Sequence, residues 1–113
     1  MPALEILSRE TWEEFVASPR VFLMIGKSDC PACNEWTTGL EEFLAADSEF
    51  PDVRFGKVLL DTPGLGGFKK ANAWLAAVHD LPYNVVFRDG ARVKEWVGGG
   101  VDRMVNRLRR LTT

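Results

Sequence analysis

The chain has 113 residues, of which 46% are hydrophobic and 27% charged, a length and composition typical of one globular domain with a single buried core. Its formal net charge of −2 at pH 7 excludes the strongly basic surface that would hold nucleic acid or an acidic membrane by electrostatics alone. We therefore expect a single domain over residues 1–113, with neither nucleic acid nor a membrane as a partner.

The first half of the chain alternates short apolar runs with stretches of helical pattern. Leu4–Leu7 predicts a strand, and Ser8 is a candidate N-cap for a helix over Arg9–Ala17. Val21–Ile25 is an uninterrupted apolar run of strand length, which is typical of a central strand covered on both faces. The segment from Cys30 onward begins a helix, and its apolar side chains recur at helical spacing: Trp36, Leu40, Phe43 and Leu44.

The second half predicts one strand, one helix, a hairpin and a closing helix. Asp52–Leu60 predicts the strand, and Phe68–His79 predicts the helix. Val85–Arg88 and Arg92–Val97 predict antiparallel neighbours, because the Asp-Gly pair between them favours a tight turn. Val101–Leu111 predicts the last helix. Since strands alternate with helices before the hairpin, we expect an α/β fold with a mixed sheet and helices on both faces.

Two segments and the cysteine count indicate a compartment. Met1–Ser8 lacks the basic start and long apolar run of a secretory signal peptide, and Val21–Ile25, the most apolar segment, is far too short to cross a bilayer. Only two cysteines are present, whereas a secreted domain of this size usually carries several disulfides. We therefore expect a cytoplasmic protein whose cysteine pair serves redox chemistry or metal binding.

The spacing of Cys30 and Cys33 indicates thiol–disulfide exchange. The attacking species in that reaction is a thiolate, and an unperturbed thiol with a pKa of about 8.5 is only slightly ionised at pH 7. Cys30 precedes a predicted helix, whose N-terminus favours negative charge, and Pro31 suits the first helical position. Cys33 follows one turn later, within reach of a mixed disulfide on Cys30. We predict that Cys30 is the nucleophile and Cys33 the resolving thiol.

The same pair has two other interpretations. Both cysteines could be inert members of the core, or they could form half of a zinc site. Zinc requires about four ligands, and beyond the two cysteines the sequence offers only His79, far along the chain. The redox interpretation is therefore favoured, and neither a metal nor a cofactor is expected.

Residues after the third predicted helix resemble a segment of the thioredoxin superfamily. Leu81-Pro82 precedes the strand Val85–Phe87, and Val97-Gly98 ends the partner strand, which is the proline–strand–turn–strand–glycine order of thioredoxins. The resemblance extends over nearly the whole chain and implies the thioredoxin fold, a central mixed β-sheet flanked by helices on both faces. It also implies a cis peptide bond before Pro82, facing the cysteines, and a groove at Leu81 and Pro82 where an extended substrate pairs with the backbone.

The resemblance implies an activity as well. A thioredoxin-like protein is a monomeric thiol–disulfide oxidoreductase that acts on protein disulfides and is recharged by an upstream thiol reductant or reductase. However, Lys27-Ser28-Asp29-Cys30-Pro31-Ala32-Cys33 is similar to the Lys-x-x-Cys-Pro-x-Cys of glutaredoxins rather than to the Trp-Cys-Gly-Pro-Cys of thioredoxins. Glutathione-dependent exchange is therefore one alternative, and a redox-inert peptide-binding module on the same fold is another.

The resemblance also reveals a departure next to the cysteines. Thioredoxins hold a buried aspartate six residues before the first cysteine, where it accepts a proton from the resolving thiol, and this chain has Met24 at that position. Lys57 resembles the lysine that accompanies the aspartate. Deprotonation of Cys33 then falls to water, Asp29 or Glu35, and we expect slower or more specialised exchange than in ordinary thioredoxins.

Overall fold

One five-stranded β-sheet with helices on both faces organises the residues that the structure describes. The computed structural model describes residues 3–46 and 49–112. The expected domain over 1–113 also includes residues 1–2, 47–48 and 113, which lie outside that description. In chain order the elements are β1 (Leu4–Ile6), α1 (Trp12–Val16), β2 (Arg20–Gly26), α2 (Pro31–Ala46), β3 (Arg54–Leu59), α3 (Gly66–Ala71), a 3-10 helix (Ala73–Ala77), β4 (Tyr83–Arg88), β5 (Ala91–Val97) and α4 (Val101–Thr112).

The strand order across the sheet is β1-β3-β2-β4-β5, which places β2 at the centre. β3 pairs in parallel with both β1 and β2, whereas β4 pairs antiparallel with both β2 and β5. A strand that is paired on both edges and covered on both faces is shielded from water, and every β2 residue from Val21 to Gly26 is buried. The mixed sheet and the central place of this apolar strand are thus confirmed.

The sheet separates two hydrophobic cores. In β2, Phe22 and Met24 face one core while Leu23 and Ile25 face the other, because successive side chains of a strand point to opposite faces. We call them the α2–α4 core and the α1–α3 core. The buried helical side chains of the first are Cys33, Trp36, Leu40, Leu44, Met104 and Leu108, and those of the second are Phe15 and Phe68.

The first helix is shorter than the predicted Arg9–Ala17, and Ser8 is not its N-cap. The Ser8 carbonyl oxygen accepts the backbone N–H groups of Thr11 and Trp12, so the chain turns after Ser8 and the helix begins only at Trp12. The Ser8 hydroxyl donates instead to the carboxylate of Glu10 at 3.1 Å. The Ser8 hydroxyl, which the sequence pattern assigned to helix capping, is therefore engaged in a short-range hydrogen bond with Glu10.

The predicted helix over Phe68–His79 is wrong as a single element. The α-helix ends at Ala71, the next residue Asn72 has a non-helical φ of −123° and ψ of 64°, and a 3-10 helix over Ala73–Ala77 follows. Asn72 donates its side-chain Nδ2 to the Phe68 carbonyl oxygen at 2.8 Å, and its backbone N–H donates to the same oxygen at 3.0 Å. Because the φ and ψ of Asn72 are not helical, the α-helix cannot continue past this residue, and the side-chain bond to Phe68 is added to the last helical bond rather than replacing it.

The remaining predicted elements are present, with ends displaced by one or two residues. β4, for example, begins at Tyr83 rather than Val85, because Tyr83 pairs with Ile25 on one side and Val97 on the other. Pairing of this kind depends on neighbouring strands, which a pattern read along a single segment does not contain.

Gly56 on β3 provides a test of the α1–α3 core. Its Cα lies against α1, and a Cβ on residue 56 would overlap the ring of Phe15. Because Phe15 is completely buried, Gly56→Ala should lower the free energy of unfolding by about 1–3 kcal/mol, the usual cost of overpacking a core. Gly66→Ala is the matched control, since a Cβ there meets nothing within 4 Å and alanine favours helix formation. Urea denaturation measures both, and an unchanged Gly56→Ala stability would contradict the close contact.

Candidate active site

Cys30 and Cys33 lie where the central strand β2 gives way to α2. Their Sγ atoms are bonded to each other, and their Cα atoms are 5.2 Å apart, within the range of protein disulfides. Cys33 is only 1% exposed, whereas Cys30 is half-buried. An incoming sulfur atom therefore reaches Cys30 before Cys33.

Cys30 directly precedes the first helical residue, Pro31, and occupies the N-cap position of α2. Its Sγ accepts the backbone N–H of Cys33 at 3.1 Å, and its carbonyl oxygen accepts the N–H of Asn34 at 3.0 Å. The first N–H groups of a helix lack partners within the helix, and together with the helix dipole they favour negative charge. This environment is suited to a thiolate on Cys30.

The loop that leads into Cys30 is anchored to the end of β3. The Leu60 N–H donates to the Gly26 carbonyl oxygen at 2.8 Å, and the Ser28 N–H donates to Asp61 Oδ1 at 3.1 Å. The Ser28 hydroxyl donates to the other carboxylate oxygen of Asp61. These two bonds from Ser28 hold the pKa of Asp61 below its usual range. Sequence reasoning missed this anchor, because its partners are 33 residues apart and neither is distinctive alone.

Gly26 allows Cys33 and Met24 to approach the end of β2. A Cβ on residue 26 would lie 3.0 Å from both Cβ and Sγ of Cys33, and 3.5 Å from Sδ of Met24. Met24 is completely buried, so a thioether occupies the place beside Cys33 where the resemblance implied an acid. Lys57 is half-buried and pairs with Met24 across the β2–β3 ladder.

Three charged side chains that the sequence singled out lie around the pair. Lys27 and Asp29 are exposed on the loop before Cys30, and Glu35 is exposed on the first turns of α2. Both carboxylates are therefore in contact with water, and geometry does not single out one of them as the proton acceptor for Cys33.

The Leu81–Pro82 peptide bond is cis, as the resemblance implied. Continuing the antiparallel register of β2 and β4 by one residue brings Pro82 opposite Gly26, which in turn lies against Cys33. The Pro82 carbonyl oxygen accepts the N–H of Gly98 at 2.8 Å. Leu81 is half-buried and packs against both cores. The fold thus brings this segment to the cysteines, while substrate binding by Leu81 and Pro82 stays a prediction.

A cleft of about 730 Å³ opens beside the cysteines, between α2 and the glycines that follow β5. Ala32 and Trp36 form part of its α2 wall, and Gly99 part of the other. The Trp36 side chain is 4% exposed and donates its indole N–H to Asn84 Oδ1 at 2.8 Å. Sequence reasoning did not identify Asn84, although an amide side chain next to the apolar run Val85–Phe87 is a signal that would have found it.

The described part of the chain contains neither a cluster of metal ligands nor a helix that could span a membrane. Within residues 3–46 and 49–112, no group of three or more His, Cys, Asp or Glu side chains is placed to hold a metal ion. Within the same ranges, no helix combines the length and hydropathy of a membrane span.

Comparison with known proteins identifies the fold through structure alone. No protein-family model matches the chain, and no curated protein sequence matches it. Among solved structures it is similar to oxidised thioredoxin O2 of Arabidopsis thaliana, with 22% identity, a TM-score of 0.74 and coverage of 98% of this chain and 96% of that one. Thioredoxin f2 of Chlamydomonas reinhardtii gives 19% identity, a TM-score of 0.75 and 97% coverage of both chains. The oxidised thioredoxin of Plasmodium falciparum gives 14% identity, a TM-score of 0.75, and 98% and 100% coverage.

These similarities span the full length of both chains, and they show that this protein has the thioredoxin fold. The expected fold class is therefore confirmed. A disulfide-forming Cys-x-x-Cys pair at the start of α2 in such a fold supports thiol–disulfide oxidoreductase chemistry in general.

Proposed function

We propose that the protein is a thiol–disulfide oxidoreductase that reduces protein disulfides, with Cys30 as the nucleophile and Cys33 as the resolving thiol. The observation that carries this proposal is the asymmetry of the pair. Cys30 is half-buried at a helix N-cap and receives an N–H hydrogen bond on its sulfur, whereas Cys33 is 1% exposed in the α2–α4 core. The accessible sulfur is thus also the one whose surroundings favour a thiolate.

In the first step, the Cys30 thiolate of the reduced protein attacks one sulfur of the substrate disulfide. A mixed disulfide forms between Cys30 and that sulfur, and the other substrate sulfur leaves as a thiolate that takes up a proton. The backbone of Leu81, the residue before Pro82, pairs with the extended substrate during this step. The half-buried position of Leu81 leaves part of that residue available for such a contact.

In the second step, Cys33 loses its proton and attacks Sγ of Cys30. The Cys30–Cys33 disulfide forms, and the second substrate sulfur leaves as a thiolate. Two electrons have then passed from the protein to the substrate. The oxidised pair is reduced again by an upstream thiol reductant or reductase, and we place this cycle in the cytoplasm, where such reductants keep thiols reduced.

The buried state of Cys33 makes its deprotonation the demanding part of the cycle. Burial disfavours the charged form of a thiol, and the side chain beside it at the end of β2 is the apolar Met24. Water, Asp29 or Glu35 takes the proton in this proposal. Slower or more specialised exchange than in proteins with a buried acid follows from that arrangement.

Redox titration tests the proposed activity against its alternatives. The protein equilibrated in dithiothreitol and in glutathione buffers should show one reversible two-electron transition of the Cys30–Cys33 pair, read by alkylation and mass. A protein-disulfide reductase should form little glutathione adduct, whereas glutathione-dependent exchange should accumulate it on Cys30. Absence of any transition, with Cys30 unreactive to alkylation at neutral pH, would leave the redox-inert binding module as the better description.

The division of labour between the cysteines can be tested by trapping. Cys33→Ser should accumulate mixed disulfides with protein substrates, because attack by Cys30 is retained and resolution is lost. Cys30→Ser is the matched control and should trap little, since its remaining thiol is buried. Non-reducing electrophoresis of both variants measures the difference. If Cys30→Ser trapped more protein, the two roles would have to be exchanged.

Met24→Asp tests whether a missing acid limits the rate. Burial should raise the pKa of the new carboxyl towards neutrality, so that the proton-accepting carboxylate accumulates, and the rate rises, as pH increases through that pKa. A folded-state pKa above the unfolded value also means that the stability of the variant should fall over the same rise in pH. Met24→Leu is the control, because it keeps the volume and adds no acid. Insulin-disulfide reduction from about pH 6 to 9, beside urea denaturation, measures both effects.

An unchanged rate in a folded Met24→Asp protein would show that deprotonation of Cys33 is not limiting. Attention would then move to Asp29 and to the groove at Leu81 and Pro82.

A further inference from the structure

Asn84 is a completely buried polar residue in the middle of the sheet. It lies in β4, two residues after Pro82, and therefore on the same face of the strand. Its neighbours across the sheet are Met24 on β2 and Trp96 on β5, both of which belong to the α2–α4 core. A primary amide in such apolar surroundings is unfavourable unless its polar atoms find partners.

The amide of Asn84 is hydrogen-bonded at both ends. Its Oδ1 accepts the indole N–H of Trp36 at 2.8 Å, and its Nδ2 donates to the Gly98 carbonyl oxygen at 2.7 Å. The same Nδ2 lies 3.3 Å from the Trp96 carbonyl oxygen. One side chain thus connects α2, β4 and the segment that follows β5.

Each connected segment belongs to the candidate active site. Trp36 is one helical turn beyond Cys33, and Asn84 is two residues beyond the cis-proline. Gly98, which accepts from Asn84, also donates its own N–H to the Pro82 carbonyl oxygen at 2.8 Å. The next residue, Gly99, lies against the Trp36 ring so closely that a Cβ there would be 3.1 Å from it.

The directionality of these bonds distinguishes Asn84 from an ordinary core residue. An apolar side chain would fill the same volume without fixing the helix at one position along the strand, whereas a satisfied buried amide tolerates little displacement of its donors and acceptors. A displacement of α2 by a fraction of an ångström would change the distance from the cysteines to the proline segment. Reactions between positioned groups are sensitive to such distances.

We propose that Asn84 is a positioning residue for disulfide exchange, an inference that rests on the proposed function. Its amide holds the cysteine helix, the cis-proline segment and the Gly98–Gly100 segment at the spacing that an extended protein substrate requires. A protein disulfide must contact several of these segments at once, and a groove formed in advance spares the substrate the cost of ordering them. A small disulfide needs only the Cys30 sulfur and gains nothing from that order.

The test compares one protein disulfide with one small disulfide. Asn84→Leu should raise KM for insulin disulfides about tenfold, because it removes the buried hydrogen bonds at both ends of the amide, while kcat changes less. The rate of the reduced variant with hydroxyethyl disulfide should stay within about twofold of the unaltered protein, because that molecule is too small to span the groove. A purely structural role would lower both rates by the same factor, through the fraction of folded protein.

Asn72→Leu is the matched control within the same chain. Asn72 is also buried, and it likewise accepts an indole N–H, from Trp74 at 3.2 Å, and donates to a backbone carbonyl oxygen, that of Phe68 at 2.8 Å. It lies on the other side of the sheet, where Phe68 and Trp74 pack in the α1–α3 core. Asn72→Leu should lose comparable stability in urea and keep the KM for insulin.

Trp36→Phe tests the positioning role of Asn84 if Asn84→Leu does not fold. It keeps an aromatic ring and the bonds from Asn84 to Gly98 but removes the indole donor, so it should raise KM for insulin in the same direction by a smaller factor. Equal losses with both substrates, no loss with either, or the same size-selective loss in Asn72→Leu would each overturn the positioning role. An unaltered protein that reduced neither disulfide would instead overturn the proposed function, and this role with it.

Discussion

The contact between Cys33 and the backbone of Gly26 sets the distance between the central strand and α2. Sγ of Cys33 would lie only 3.0 Å from a Cβ on residue 26, so a larger residue there would require Cys33 to move away by a few tenths of an ångström. The loop between β2 and α2 spans only Lys27 to Cys30, so Cys30 falls at the helix N-cap with the N–H of Cys33 on its sulfur. The Asp61 anchor on Ser28 and the Asn84 bond to Trp36 then hold the loop and the helix at that distance.

The sulfur atoms of Cys30 and Cys33 are only three positions apart in sequence, yet they differ in exposure to solvent. Cys30 is only half-buried, and its sulfur accepts the N–H of Cys33 at the N-terminus of α2, both of which accommodate charge. Cys33 is enclosed by Met24 and the rest of the α2–α4 core, which does not. In the proposed exchange cycle, these surroundings favour the thiolate needed for the first half, whereas the second half needs a proton acceptor from outside the core.

The sequence was most informative where a single segment contains its own signal. The apolar run Val21–Ile25 predicts the central strand, and Leu81-Pro82 before a hairpin pattern carries the resemblance that implies the cis-proline segment, since each depends on a few consecutive residues. The break at Asn72 was missed because asparagine occurs both inside helices and at their ends, and only its non-helical φ and ψ reveal which applies here. The bonds of Ser28 to Asp61 and of Trp36 to Asn84 join residues 33 and 48 positions apart, and no local periodicity encodes such pairs.

The division of the interior by one sheet has a consequence for how such a chain can diverge. Substitutions in the α1–α3 core, around Phe15 and Phe68, act on the stability of the folded state and reach the cysteines through the sheet and through Leu81, which packs against both cores. Substitutions in the α2–α4 core change the surroundings of Cys33 directly, because Met24 and Trp36 belong to it. Two substitutions on opposite faces of the sheet should change the free energy of unfolding additively, whereas two substitutions near the cysteines should show coupled effects. One face of the molecule can therefore drift in sequence while the other retains the geometry on which the chemistry depends.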